Sequence, residues 1–160
     1  MLALFRALTY AVVFVGLLLI AVPQHLRHAT GIVPPQWIGP WQVAGLEALA
    51  LGAVLIVWCV VTFALVGKGT PAPFDPPRKL VVAGPYRWVR NPMYIGAALV
   101  LAGTALYYRS AGIAAFAAGF CVLAHAFVVL YEEPTLERDF GAQYADYRNA
   151  VHRWLPRWPS

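Results

Sequence analysis

Long apolar segments constrain the fold of this chain more than any other feature. Four of them lie at about 2–22, 43–66, 93–108 and 110–131 of the 160 residues. A helix needs about 20 apolar residues to cross the hydrocarbon core of a bilayer, and the third segment alone is shorter than that. We therefore predict an all-helical, polytopic membrane protein with about four transmembrane helices.

The composition agrees with a membrane protein. Hydrophobic residues make up 61% of the chain and charged residues 12%, whereas soluble domains are about half apolar and a quarter charged. The net charge of +5 lies in loops and tail, which suits an anionic membrane surface better than nucleic acid. Cys59 and Cys121 fall inside apolar runs without C-x-x-C spacing, so we expect no disulfide and no metal. We treat residues 1–160 as one domain.

The first apolar segment has two interpretations. A basic residue near its start, Arg6, and an apolar centre are typical of a signal peptide. No small-x-small cleavage site follows the apolar run, however. We therefore expect a retained helix.

The basic residues predict the orientation. The loop 67–92 holds five of them: Lys68, Arg78, Lys79, Arg87 and Arg90. The tail 132–160 holds four others, Arg138, Arg148, Arg153 and Arg157, whereas the first loop contains only Arg27 and the last turn only Arg109. Because cytoplasmic loops carry an excess of lysine and arginine, we predict that both termini, the loop 67–92 and the tail are cytoplasmic.

The third and fourth segments are joined by only two residues, Arg109 and Ser110, which predicts a tight antiparallel helical hairpin. Each of these segments also carries two glycines seven residues, or about two turns, apart. Such spacing predicts faces where helix backbones approach closely. The glycines are Gly96 and Gly103 in one segment, and Gly112 and Gly119 in the other.

The tail has a helical pattern of its own. Leu136, Phe140, Tyr144 and Tyr147 form an apolar stripe at helical spacing. We predict a short amphipathic helix on the cytoplasmic face. Gly141 inside the stripe argues against an unbroken helix.

The hairpin places two polar clusters at the same membrane face. One runs from Arg90 to Tyr94, and the other is the pair Glu132 and Glu133. Adjacent carboxylates at a membrane boundary repel each other and need cationic partners or ligands. His125 lies about two turns from Glu132, inside the membrane segment, where a titratable side chain is a functional candidate. Its alternative role is a hydrogen bond between helices.

Two stretches together carry a family resemblance. The stretch LVVAGPYRWVRNPMYIG, followed by YEEPTLERDFGAQYADYRNAVHRWLP, resembles the isoprenylcysteine carboxyl methyltransferase and phospholipid methyltransferase superfamily. The shared signature is R-[HN]-P-x-Y, E-E and F-G-x-x-Y-x-x-Y, and it covers residues 78–156. Members are integral membrane enzymes that use S-adenosylmethionine. No dinucleotide-binding, serine hydrolase or zinc protease motif occurs in the chain.

The resemblance implies a cytoplasm-facing cofactor pocket between the hairpin and the tail. Non-helical backbone is tolerated at membrane depth where it lines a cavity. The positions similar to the family's cofactor contacts are Arg78, Lys79, Leu80, Val81, Tyr86, Asn91, Pro92, Met93, Tyr94 and Glu132.

Two positions depart from the family pattern. Asn91 stands where histidine is frequent, and Val128 stands where carboxyl-methylating relatives have an arginine that can hold a carboxylate. The sequence YEEP looks more like the phospholipid N-methylating branch.

The resemblance therefore implies methyl transfer from S-adenosylmethionine to a lipid-like amphiphile, at nitrogen or oxygen. Arg90, Glu133 and His125 are the candidates for orienting the substrate or accepting a proton. Carboxyl O-methylation of a prenylcysteine-like substrate is one alternative. A non-enzymatic membrane protein with the same fold is the other.

Overall fold

The computed structural model describes residues 15–67 and 79–156, which contain helices and no strand. Helix α1 comprises a π-helical stretch, Val15–Ala21, and an α-helical one, Val22–Ala29. Helix α2 is Pro40–Thr62, extended by a π-helical turn, Phe63–Gly67. The remaining helices are α3, Pro92–Tyr108; α4, Ala111–Phe127, extended by the π-helical turn Val128–Glu132; α5, Glu133–Phe140; and α6, Ala142–Ala150.

Two helical stretches in the described ranges are long and apolar enough to cross a membrane. They are Pro40–Val66 and Ala111–Phe140, and Pro92–Tyr108 is a shorter apolar helix. The predicted segments 43–66 and 93–108 agree closely with α2 and α3. Most of the first predicted segment, 1–14, lies outside the described residues.

Two predicted helix ends are wrong. The first helix continues to Ala29, because Pro23 lies in the first turn of its α-helical part, where a missing backbone N–H is tolerated. The fourth helix does not stop at 131. It runs through the π-helical turn into α5, whose first turn accommodates Pro134 in the same way.

Helices α2 and α3 pack with their backbones in close contact. A Cβ atom on Gly52 would lie 2.5 Å from the carbonyl oxygen of Gly96, and one on Gly103 would lie 2.5 Å from that of Gly45. Only glycine permits such an approach. The close-packing prediction for Gly96 and Gly103 is therefore confirmed, with α2 as the partner helix.

The described residues do not confirm the same prediction for α4. Among the described residues, a Cβ on Gly112 would have only the Ser110 hydroxyl within 4 Å, at 3.8 Å, and one on Gly119 would meet nothing. The partners of the α3 glycines, Gly45 and Gly52, are themselves seven residues apart. The seven-residue spacing in α2 was therefore the sequence pattern that indicated the helix packed against α3.

The predicted two-residue connection between α3 and α4 is confirmed. Arg109 adopts a left-handed conformation with φ of 49°. Its N–H donates to the carbonyl of Leu106, and the N–H of Ser110 donates to that of Ala105, which is the Schellman pattern. The Ser110 hydroxyl then accepts a hydrogen bond from the N–H of Ile113 and caps α4.

The tail folds as two short helices instead of one. Gly141, with φ of 51°, separates α5 from α6. The four residues of the predicted stripe nevertheless pack into a single cluster, together with Leu80 and Val151. Tyr144 is its most buried member, 1% exposed. This cluster fixes the tail against the segment that precedes α3.

Candidate active site

The loop before α3 is held by a buried tyrosine contact. Gly84 has φ of 56°, and a Cβ there would lie 2.6 Å from the hydroxyl oxygen of Thr62, so the position requires glycine. It opens a 3-10 turn, Gly84–Arg87, that buries Tyr86. The Tyr147 hydroxyl donates a 2.7 Å hydrogen bond to the carbonyl oxygen of Tyr86. Burial raises the pKa of Tyr147, so this phenol remains a donor at neutral pH.

Glu133 is paired with two arginines from different segments. Arg153 donates to both carboxylate oxygens, from Nε at 2.7 Å and Nη2 at 2.8 Å. Arg90 donates from Nη2 at 2.9 Å, and the side chains of Arg90 and Glu133 are only 8% and 11% exposed. The hydrogen bond with Glu133 raises the pKa of Arg153, which stays charged. This network joins the start of α3, the start of α5 and the segment after α6.

The neighbouring carboxylate, Glu132, has a different environment. Its Oε2 accepts a 3.1 Å hydrogen bond from the hydroxyl of Tyr94. Among the described residues no arginine or lysine forms an ion pair with it. The two adjacent carboxylates therefore have different partners. Glu133 forms ion pairs with two arginines, whereas Glu132 accepts a hydrogen bond from the phenol of Tyr94.

Arg90 retains unused hydrogen-bonding capacity. Its Nε and Nη1 are buried and have no hydrogen-bond partner among the described residues. Its backbone N–H donates to the carbonyl of His152 at 2.9 Å, and Asn91 Nδ2 donates to the carbonyl of Arg153 at 3.2 Å. Buried donors without an acceptor each cost about 1–3 kcal/mol, so a ligand oxygen at Arg90 would recover that loss.

His125 and Trp154 form the edge of the site. The indole N–H of Trp154 donates to His125 Nδ1 at 3.0 Å. Its ring lies 6.4 Å from that of Tyr94 and 6.0 Å from the imidazole of His125, centroid to centroid. The sequence prediction placed His125 near the paired glutamates but missed the contributions of Arg153 and Trp154. The sequence analysis counted Arg153 only among the basic residues of the tail, and it assigned no role to Trp154.

The structure brings together most of the predicted catalytic and cofactor positions. Arg90, Asn91, Tyr94, Glu132 and Glu133 form one connected cluster with the segment after α6. Pro92, fully buried, occupies the first turn of α3.

The other predicted cofactor positions lie around this cluster. Val81 and Tyr86 are buried together with Cys59, and Met93 packs against them. Leu80 packs on the tail cluster, and Lys79 is exposed. Arg78 lies outside the described residues.

Val128, the position at which the resemblance implies an arginine in carboxyl-methylating relatives, is buried. It lies at the start of the π-helical turn and is 0% exposed. An arginine there would have to be buried, at a cost that only a paired anion offsets. The described residues also contain no group of His, Cys, Asp and Glu side chains that could hold a metal ion.

An open groove of about 550 Å³ lies at the opposite end of the hairpin. Its walls are mostly alanines of α3 and α4, with Trp41 and Arg109 at the rim. It contains none of the residues of the polar cluster.

Comparison with known families agrees with the residue pattern. The phospholipid methyltransferase family profile matches residues 41–143, well over half of the chain. The chain belongs to this family, whose members are methyltransferases, and the two apolar helices indicate an integral membrane protein. The match includes α2 and ends before Tyr144, Arg153 and Trp154. No curated protein and no solved structure matches the chain significantly.

Proposed function

We propose that this protein transfers a methyl group from S-adenosylmethionine to a lipid-like amphiphile that carries an amine or hydroxyl group. The observation that carries the proposal is that the adjacent carboxylates, Glu132 and Glu133, have different partners. Two arginines neutralise Glu133, whereas Glu132 bonds to Tyr94 and has no cationic partner among the described residues. A half-buried carboxylate of this kind is suited to a cationic ligand.

The residues present fit this cofactor. It carries positive sulfonium and ammonium groups and a negative carboxylate. Glu132 offers acceptor oxygens for the cationic part, and the partnerless Nε and Nη1 of Arg90 offer donors for an oxygen. Tyr86 and Tyr94 are the nearby rings, and Asn91, Pro92 and Met93 supply the entry to α3. Arg78, Lys79, Leu80 and Val81 complete the proposed set on the preceding loop.

When bound, the cofactor supplies a methyl group that its sulfonium already activates. The protein then has to orient the acceptor and exclude water, and positioning alone contributes up to about 7–11 kcal/mol in favourable cases. Glu133, held by Arg90 and Arg153, has a positioning role, because it fixes the three segments around the site. His125 is the candidate for receiving the acceptor group, since its Nδ1 carries a lone pair at the edge of the site.

We further propose four membrane-spanning helices with the site, the loop 67–92 and both termini in the cytoplasm. The basic residues of the loop and tail support this orientation. In that arrangement the cofactor enters from water and the amphiphile from the lipid.

A carboxylate acceptor is less well supported. Val128 is buried where an arginine would be needed, and the charge of Glu133 already offsets those of Arg90 and Arg153. We therefore expect transfer to amines or alcohols to exceed transfer to carboxylates.

A labelled-methyl assay tests the proposal. The purified protein in lipid nanodiscs is given radiolabelled S-adenosylmethionine with either dodecylamine or a farnesylated cysteine analogue. We expect saturable transfer to the amine and no more than trace transfer to the cysteine analogue. The reverse ordering would establish carboxyl methylation. The absence of both cofactor binding and transfer to total membrane lipids would support the non-enzymatic alternative.

A further inference from the structure

The segment that follows α6 crosses the candidate active site as a strap, defined here as residues 151–156. Val151 packs in the tail cluster, and Arg153 reaches inward to Glu133. The carbonyls of His152 and Arg153 accept hydrogen bonds from Arg90 and Asn91. The strap is therefore anchored at its first three residues, by apolar packing at Val151 and by polar contacts at His152 and Arg153.

Beyond Arg153 the strap changes character. Trp154 is half-buried between Tyr94 and His125, and Leu155 is 72% exposed. Within three residues the strap thus passes from a buried ion pair to an exposed apolar side chain. Trp154 lies at this transition, between the polar cluster and the exposed face of α4 that carries His125.

The hydrogen bond between Trp154 and His125 shows which ring nitrogen of the imidazole acts as the acceptor. An indole N–H only donates, so His125 Nδ1 must present a lone pair. Any group that replaces the indole at this position must therefore be a donor as well. At membrane depth no water is available to donate a hydrogen bond to Nδ1 when the indole leaves. Replacement of the indole by a group without N–H or O–H is therefore unfavourable.

We infer that Trp154 is a gate whose indole N–H occupies the headgroup position of the acceptor, and that His125 selects headgroups that bear N–H or O–H donors. This inference rests on the proposed function, because it assigns the lipid-side entrance of the same site. An amphiphile approaching from the exposed face of α4 displaces Trp154 and donates to His125 Nδ1. A quaternary ammonium of equal charge has no donor and is not held.

Two amphiphiles of equal charge and tail length test the donor requirement. Dodecylammonium carries three N–H donors, and dodecyltrimethylammonium carries none. Their binding to the full-length protein in nanodiscs is measured by thermophoresis without cofactor. The variants are Trp154→Phe, which keeps a ring but removes the indole N–H, and His125→Ala. Trp37→Phe is the control, since Trp37 is 85% exposed in the loop before α2.

We expect the wild-type protein to bind dodecylammonium more tightly than dodecyltrimethylammonium. Trp154→Phe should strengthen dodecylammonium binding about two- to tenfold, because a competing hydrogen bond of ordinary net strength is lost. His125→Ala should remove the preference between the two amphiphiles, and Trp37→Phe should change nothing. Opposite effects of the first two variants are specific to a gate, because damage to the fold would weaken binding in both.

Equal binding of the two amphiphiles by the wild-type protein, or weaker or unchanged dodecylammonium binding in Trp154→Phe, would overturn the inference. Failure of the proposed function is a separate result. It would be seen as no S-adenosylmethionine binding by the wild-type protein in calorimetry, a measurement that uses neither amphiphile.

Discussion

At one end of the α3–α4 hairpin, Arg109 and Ser110 close the turn with hydrogen bonds to backbone groups and a serine cap. At the other end, Arg90 and Glu133 are joined by an ion pair, and two further donors of Arg90 have no partner among the residues that the structure describes. Both ends contain an arginine and aromatic residues. The polar groups of the turn end bond to residues nearby in the sequence. The polar end joins distant segments and has buried donors that a ligand could use. This difference supports the proposal that the polar end is the functional site and that the turn end is a structural connection.

The largest expected effect comes from removing the charge of Glu133. Glu133→Gln would leave Arg90 buried beside a neutral amide, and breaking a buried ion pair on one side costs about 3–5 kcal/mol. We expect the free energy of unfolding to fall by roughly 3 kcal/mol, at the lower end because Arg153 is 32% exposed. Denaturant unfolding in detergent measures this change.

The matched control is Glu137→Gln. Glu137 pairs with Arg148 at 3.3 Å, but both side chains are about half exposed. Such a surface pair contributes at most about 1 kcal/mol. Equal losses of unfolding free energy in the two variants would show that the Glu133 network contributes no more to stability than a surface ion pair does. That result would contradict the distinction between the two ends of the hairpin.

A smaller effect is expected on the α2-facing side of α3, near the turn end. In Gly103→Ala the new Cβ would lie 2.5 Å from the carbonyl oxygen of Gly45 and 2.7 Å from the backbone nitrogen of Leu49. Forcing extra volume into packed helices costs about 1–3 kcal/mol. We expect lower thermal stability with unchanged S-adenosylmethionine affinity.

Gly119→Ala is the control for the effect of replacing a helical glycine by alanine where no described helix packs closely. A Cβ there meets nothing within 4 Å in the described part of the chain, and alanine favours a helix over glycine by about 1 kcal/mol. This variant should be as stable as the wild type or more so. A loss of stability in Gly119→Ala as large as that in Gly103→Ala would show that helix contact is not the cause.

The sequence predicted the polar end because hairpin geometry leaves little choice. Two apolar helices joined by two residues must bring Arg90–Tyr94 beside Glu132–Glu133, and the ion pair and the Tyr94 bond show that they do. The partners Arg153 and Trp154 were not predictable in the same way. Their position depends on the turn at Gly141 and on the docking of Tyr144 and Tyr147, which no spacing rule encodes.

The helix ends were missed for a related reason. Sequence rules place a break at Pro23 and after Tyr131, but the first turn of the α-helical part of α1 accommodates Pro23, and a π-helical turn contains Tyr131, so both helices continue. Such turns have no simple residue signature, and they are frequent at functional sites. The one at Val128–Glu132 directly precedes Glu133. The carboxylates of Glu132 and Glu133, at the end of this turn, have different partners: Tyr94 for Glu132, and Arg90 and Arg153 for Glu133.

Calorimetric binding of S-adenosylmethionine to Glu132→Ala and Ser110→Ala, each purified in detergent beside the wild type, tests the central claim most directly. Glu132 belongs to the polar end and Ser110 to the turn end, where loss of the helix cap costs about 1 kcal/mol of stability. A charge-assisted bond is worth about 1.5–3 kcal/mol, so we predict a ten- to hundredfold loss of affinity in Glu132→Ala. Ser110→Ala should bind as the wild type does. Unchanged affinity in Glu132→Ala, or equal losses in both variants, would contradict the account.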